Sequence, residues 1–107
     1  MPTTTRHEVL VALHVTDEDT YAAYRAGMTP ILEREGGFFR RDFRVSEVLK
    51  GGDASVNRVF ILSFPDEPAK DRFFSDEAYK KVRAERFDAS VVHVDTVASY
   101  DADIESA

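Results

Sequence analysis

The sequence predicts an α+β domain of the ferredoxin-like type, a four-stranded antiparallel sheet with its helices on one face. Three observations predict it. Strand-forming and helix-forming segments follow in the order β-α-β-β-α-β. Cap and turn residues punctuate them at the right places. The two central strands are apolar on both faces instead of alternating with polar residues. A length of 107 residues suits one domain. That domain is expected to span residues 1–107, with a core over about 7–99 and a frayed tail over 100–107.

The first strand is "HEVLVALHV" (residues 7–15), rich in β-branched residues. It ends at "TDED", where Thr16 or Asp17 caps a helix and Glu18 and Asp19 face the positive end of its dipole. Tyr21, Tyr24, Met28, Ile31 and Leu32 then recur at spacings of three and four, forming one apolar helical face. Pro30 predicts a kink or break near Met28 and Thr29. Gly36-Gly37 supplies a left-handed stop.

"FFRRDFRVSEVLKGG" (38–52) reads as the second strand, its arginines guarding a sheet edge, and "VNRVFILSF" (56–64) as the third. Pro65 ends that strand, and "DEPAKDRFF" begins a helix with Pro68 in its first turn, where a missing amide costs nothing. Ser75-Asp76 restarts the helix through a side-chain cap. "VVHVDTVAS" (91–99) is the fourth strand. Right-handed crossovers place the strands in the order 4-1-3-2, with the central pair read as parallel and the others as antiparallel.

An apolar content of 43%, with eight Phe and four Tyr, supports a packed core. The net charge of −6 argues against nucleic acid as a partner. The absence of cysteine excludes disulfides and thiolate chemistry. No apolar run approaches the ~20 residues of a membrane span, and no signal-peptide layout is present. A cytoplasmic protein is expected. No metal-ligand spacing, phosphate loop or serine nucleophile elbow occurs, so neither metal nor cofactor is expected.

Val9, Val11, Leu13 and Val15 lie on one face of the first strand, and Leu10 and Ala12 on the other. In the third strand Val59 and Ile61 oppose Phe60, Leu62 and Phe64. Two helices cover one face. Leaving large side chains of the other in water would forgo roughly 1.5–3 kcal/mol each, which predicts a homodimer.

The candidate site residues come from patterning. Arg86 follows Tyr79 by seven and Val82 by four, so it is expected on the inward helical face. A guanidinium there needs carbonyl and carboxylate acceptors, an anionic ligand, or a path for its head to reach solvent. Arg83 is expected outside, beside Glu85. Tyr24 and Tyr79 reach either a small-molecule cavity between helices and sheet or an aromatic core with hydroxyls at its rim. His14, closing the first strand, is a candidate general base or a hydrogen-bonded boundary residue. His93 and Asp95 share a strand face and form a possible oriented pair, whereas His7 is set aside as uninvolved.

The stretches "YAAY", "EGGFFRR", "VFILSFPD" and "FFSDEAYKKVRAER" occur in an order that resembles the domain-of-unknown-function 1330 family, within the dimeric α/β-barrel superfamily. The resemblance runs from about residue 8 to about residue 97. It falls on Tyr21 and Tyr24, Gly36 and Gly37, Phe64 and Pro65, and Tyr79 and Arg86. Glu35 stands where the family usually has Tyr or His, and "ASYDADIESA" replaces its closing Glu-Gly. The resemblance implies a ferredoxin-like subunit and a homodimer, and no particular reaction. Two functional readings follow. One is a homodimeric protein with a small-molecule pocket between sheet and helices. The other is a cofactor-independent enzyme of isomerase, cyclase or monooxygenase type, acting on a small carbonyl- or enol-bearing metabolite. In the enzyme His14 is the acid/base, and Arg86 and Tyr79 hold an anionic oxygen.

Overall fold

In a computed structural model describing residues 2–105, the chain runs through β1 (Thr3–Val15), α1 (Glu18–Arg34), β2 (Phe38–Arg44) and β3 (Arg58–Phe64). It continues through α2 (Glu67–Ser75), α3 (Glu77–Val82), a π-helical turn (Arg83–Phe87), α4 (Asp88–Ser90) and β4 (Val91–Glu105). The described residues form one four-stranded sheet in the order β2-β3-β1-β4, as expected. The central β1–β3 pair is antiparallel, not parallel, as are its neighbours. The reason is directional. Helix α1 returns the chain so that β2 runs along β1, and the turn after β2 reverses β3.

Local chemistry explains the helix boundaries. Asp17 caps α1, accepting from the Thr20 amide at 3.0 Å. At the other end Gly36 adopts a φ of 76°, and the amides of Gly36 and Gly37 donate to the carbonyls of Glu33 and Leu32. The helix does not break at Pro30. Pro30 and Ala26 are both exposed, so the carbonyl that loses its partner faces water. Asp76 caps α3 through the Tyr79 amide at 3.0 Å. The restart turns Phe73 and Tyr79 toward each other, with ring centroids 4.3 Å apart.

Four strand boundaries differ from expectation. β2 ends at Arg44, and no strand continues to Gly52, because the facing strand starts only at Arg58. Asn57 closes that gap: its side-chain amide bonds both the amide and the carbonyl of Val15, at 2.9 and 2.8 Å. β1 begins at Thr3, and β4 runs on to Glu105. The tail expected to fray over 100–107 is therefore strand through residue 105, paired along β1 back to Thr3; residues 106 and 107 lie outside the described residues. Val97 and Val92 are the extra residues at two shifts in this pairing, and both are exposed.

One sheet face packs under the helices. Val9, Val11, Leu13, Phe60, Leu62 and Phe64 are buried there with Tyr21, Met28, Leu32 and Phe73. Among the described residues no helix covers the other face. Leu10, Val59 and Ile61 are half-buried on it, and Phe38 and Phe43 are 42% and 52% exposed.

In the same uncovered face lies Glu8, with a side chain shut off from solvent. A register shift in β2 frees Arg40 to reach across β3 and grip both Glu8 oxygens, Nη2 to Oε1 at 2.7 Å. Burial alone would raise the Glu8 pKa. The hydrogen bonds and charge of Arg40, helped by Ser63 and Tyr100, outweigh burial and hold it below its ordinary value. A carboxylate with a depressed folded pKa stabilises above its unfolded pKa and loses that contribution as pH falls through the folded one. Equilibrium urea unfolding should show stability declining as pH falls below about 4.5. Glu8→Gln should cost about 1.5–3 kcal/mol at neutral pH, the range for a charged hydrogen-bonded partner, and flatten that acid limb.

Candidate functional site

The site is set by a change of helical period. A continuous α-helix from Tyr79 and Val82 would bring Arg86 inward, as the spacing predicts. The chain instead makes a π-helical turn over Arg83–Phe87, which accommodates one more residue per turn. Phe87 takes the inward place and is buried, while Arg86 is exposed. This corrects the expected placement of Arg86. The Ser90 hydroxyl holds the end of the turn, donating to the Arg86 carbonyl at 2.8 Å. Arg83, expected outside, lies four residues after Tyr79 on the same helical face, half-buried, with its guanidinium carbon 4.9 Å from the Phe87 ring centre.

Beneath this turn lies a cavity of about 370 Å³. Its floor is the sheet, with Val9, Val11, Phe60 and Leu62. Tyr24 and Met28 of α1 and Phe74, Tyr79, Arg83 and Phe87 form its helical wall. Val94, Thr96 and Ser99 of β4 form the remaining side. Val94 is 39% exposed and Thr96 and Ser99 are exposed, so β4 forms the cavity's rim.

Besides Lys70 and Asp71 on the wall and Thr96 and Ser99 on the rim, two polar features stand in this apolar space. The Tyr24 and Tyr79 hydroxyls are 2.9 Å apart and buried. Burial pushes the Tyr24 phenol well above its ordinary pKa, the neighbouring Tyr79 adds to this, and Arg83 opposes it. Tyr24 therefore keeps its proton. Within the pair one hydroxyl donates to the other, which leaves the second hydrogen free to point into the cavity. The other feature is Arg83. Lys70 on the wall pairs with Asp71 at 3.2 Å, but among the described residues no carboxylate pairs with Arg83. Its guanidinium rests on the Phe87 ring.

The structure thus brings Tyr24 and Tyr79 together at one cavity and separates them from His14 and Arg86. His14 sits opposite His93 on the sheet face away from the helices. His93 approaches Asp53 at 3.8 Å, and is not paired with Asp95.

His7, set aside in the sequence, is buried at 4% exposure. Its Nδ1 is 2.8 Å from Asp101 Oδ1, and its Nε2 is 2.8 Å from the Oγ of Ser99 on the cavity rim. The sequence carries only a weak signal for this: Ser99 and Asp101 are two apart, on one strand face, in a segment that reads as a polar tail. A second concavity, of about 650 Å³, opens near the ends of β1, β2 and β4. Of its three arginines, Arg6 bonds Ser63 and the Gly36 carbonyl, Arg40 grips Glu8, and exposed Arg41 donates to the Arg40 carbonyl. Among the described residues no cluster of His, Asp and Glu has the form of a metal site, and no helix is long and apolar enough to cross a membrane.

The fold and its cavity define an α+β protein of ferredoxin-like type. Residues 9–100 match the family described as a domain of unknown function (DUF1330), and the chain belongs to that family. No curated protein matches it in sequence. Among solved structures it is similar to a protein of unknown function from Rhodopseudomonas palustris, at 20% identity and a TM-score of 0.74 for the methylated form, over 96% of this chain and 83% of that one. It is also similar to a dabb family protein with a ferredoxin-like fold from Mesorhizobium loti, at 16% identity, a TM-score of 0.55 and 99% coverage of both chains. A cofactor-independent oxygenase from Streptomyces nogalater aligns at 15% identity and a TM-score of 0.51, over 99% of this chain and 95% of that one. At these identities the likeness is one of fold.

The π-helical phase makes the two neighbours Arg86 and Phe87 opposite in consequence. Phe87→Ala should cost about 3–5 kcal/mol in urea unfolding, as for a large core truncation, and Arg86→Ala should stay within about 0.5 kcal/mol.

Proposed function

We propose that this protein is a cytoplasmic homodimer that binds a small, largely apolar metabolite carrying a carboxylate or enolate oxygen. One observation carries the reading: Arg83 faces an apolar cavity with no carboxylate paired to it among the described residues. A half-buried guanidinium favours an anion, and the aromatic wall favours an apolar body attached to it. The Tyr24–Tyr79 hydroxyl pair offers a further donor to the same guest. A volume of about 370 Å³ is at the small end of the range for ligand sites, suited to a single-ring or short-chain acid. Arg86, the cation suggested by sequence spacing, is replaced in this role by Arg83.

The homodimer is proposed through the uncovered sheet face. Leu10, Val59, Ile61 and Phe43 would be shielded there by the same residues of a second copy, in a self-complementary two-fold contact. The buried Glu8–Arg40 pair would then lie at the interface, already satisfied within its own chain.

A second reading, a cofactor-independent enzyme, draws support from the same donors. A phenol pair beside a guanidinium is suited to holding an enolate oxygen as it forms, as isomerase, cyclase or monooxygenase chemistry on a carbonyl compound requires. Within one subunit His14 is on the wrong side of the sheet to act as its base, and a tyrosine hydroxyl would carry the proton.

In a thermal-shift screen, small aromatic and keto acids should raise the melting temperature, and their neutral amides should not. Arg83→Gln should weaken the best acid at least tenfold by titration calorimetry, and Arg86→Gln should leave it unchanged. A flat screen, or equal binding by the Arg83 variant, overturns the ligand reading. By light scattering the protein should have the mass of two chains, and Ile61→Asp that of one. A monomeric parent protein refutes the dimer.

A further inference from the structure

We infer that Ser99, His7 and Asp101 form a nucleophile–base–acid relay that acts on small acyl esters at the mouth of the cavity. The three side chains project from the helix-facing side of two adjacent antiparallel strands. His7 lies directly across from Asp101, and Ser99 across from Val9, one step along the same face. The resulting chain of contacts runs Ser99 Oγ to His7 Nε2 at 2.8 Å, then His7 Nδ1 to Asp101 Oδ1 at 2.8 Å. Both distances meet the requirement for a serine whose proton is taken by an imidazole oriented from its far side by a carboxylate.

The surroundings fit the roles. His7 is 4% exposed, so its ring is held by packing as well as by hydrogen bonds. Asp101 reaches it from solvent, and Glu67 Oε2 lies 3.8 Å from Nε2, near enough to stabilise the imidazolium that forms during transfer. Ser99 itself is exposed and lines the cavity rim, so a substrate whose acyl chain enters the apolar cavity presents its carbonyl at the mouth. Ser99 and His7 are the catalytic residues, and Asp101 positions the ring.

The reaction balances without a further reagent. Ser99 Oγ bonds to the acyl carbon and passes its proton to Nε2 of His7. The bond from that carbon to the leaving alcohol then breaks, and the alcohol takes the same proton. A water molecule, deprotonated by His7, then bonds to the acyl carbon; the bond to Ser99 Oγ breaks, Oγ takes the proton back from Nε2, and the acid leaves. The substrate class is an ester of a short or single-ring carboxylic acid. This relay stands on different residues from the anion-binding reading, and needs no bound metabolite for its test.

The full chain should be labelled with a small fluorophosphonate, located by mass spectrometry, and assayed on p-nitrophenyl butyrate. One adduct at Ser99 is expected. It should disappear in Ser99→Ala and slow at least tenfold in His7→Gln and Asp101→Asn variants that retain the parent circular dichroism spectrum. Because the chain has no cysteine, a second measurement is available even without turnover. The Ser99→Cys variant should be alkylated by iodoacetamide at least tenfold faster than Ser46→Cys, an exposed control, and adding His7→Gln should remove the excess. A folded protein with no adduct at Ser99, or a Ser99→Cys variant alkylated only at the control rate, overturns the relay.

Discussion

The phase of the helical segment entering β4 determines which side chains face the sheet and its cavity. A helix packed on a sheet keeps its inward side chains in register only while its period holds, and here the period changes over Arg83–Phe87. The wider turn gives the core a phenylalanine in place of an arginine, and sets that phenylalanine beside Arg83 on the cavity wall. The cost of the irregular turn is offset by packing, since Phe87 stacks on Tyr24 with ring centres 4.9 Å apart. Tyr24 is in turn bonded to Tyr79 from the preceding helix. The aromatic cluster that stabilises the turn is therefore also the wall of the candidate site.

The sheet imposes a second constraint. Its two central strands are apolar on both faces, and the helices occupy only one of them. On the other face the buried Glu8 carboxylate is satisfied by Arg40 from two strands away. A buried pair of this kind offers little net stability over a hydrophobic substitute, but it fixes how β2 and β1 lie relative to each other. The Arg40 bulge in β2 makes that reach possible, so an irregular strand edge serves a contact in the sheet interior.

The long β1–β4 pairing links the fold to both proposed chemistries. It continues to Thr3 and Glu105, well past the end of the helical layer. β4 contributes Val94, Thr96 and Ser99 to the cavity, and Ser99 and Asp101 also hold His7. One strand thus carries the cavity rim and the residues that orient a buried histidine, and the same ladder of backbone hydrogen bonds keeps them in place.

Much of this molecule is legible in its sequence because the relevant forces are local. The caps at Asp17 and Asp76, the glycine stop at Gly36, the order of elements and the two-sided apolar strands follow from neighbours in the chain and from periods of two and 3.6. Tyr24 and Tyr79 could be placed toward the sheet by the same means. Long-range packing decided the rest. Whether Arg86 or Phe87 faces inward depends on an aromatic cluster drawn from helices far apart in sequence. Whether residues 100–105 form a strand depends on the backbone of Thr3 to Glu8 offering them hydrogen bonds. His7 acquires its partners only through the register of that pairing, which no periodicity within either segment encodes.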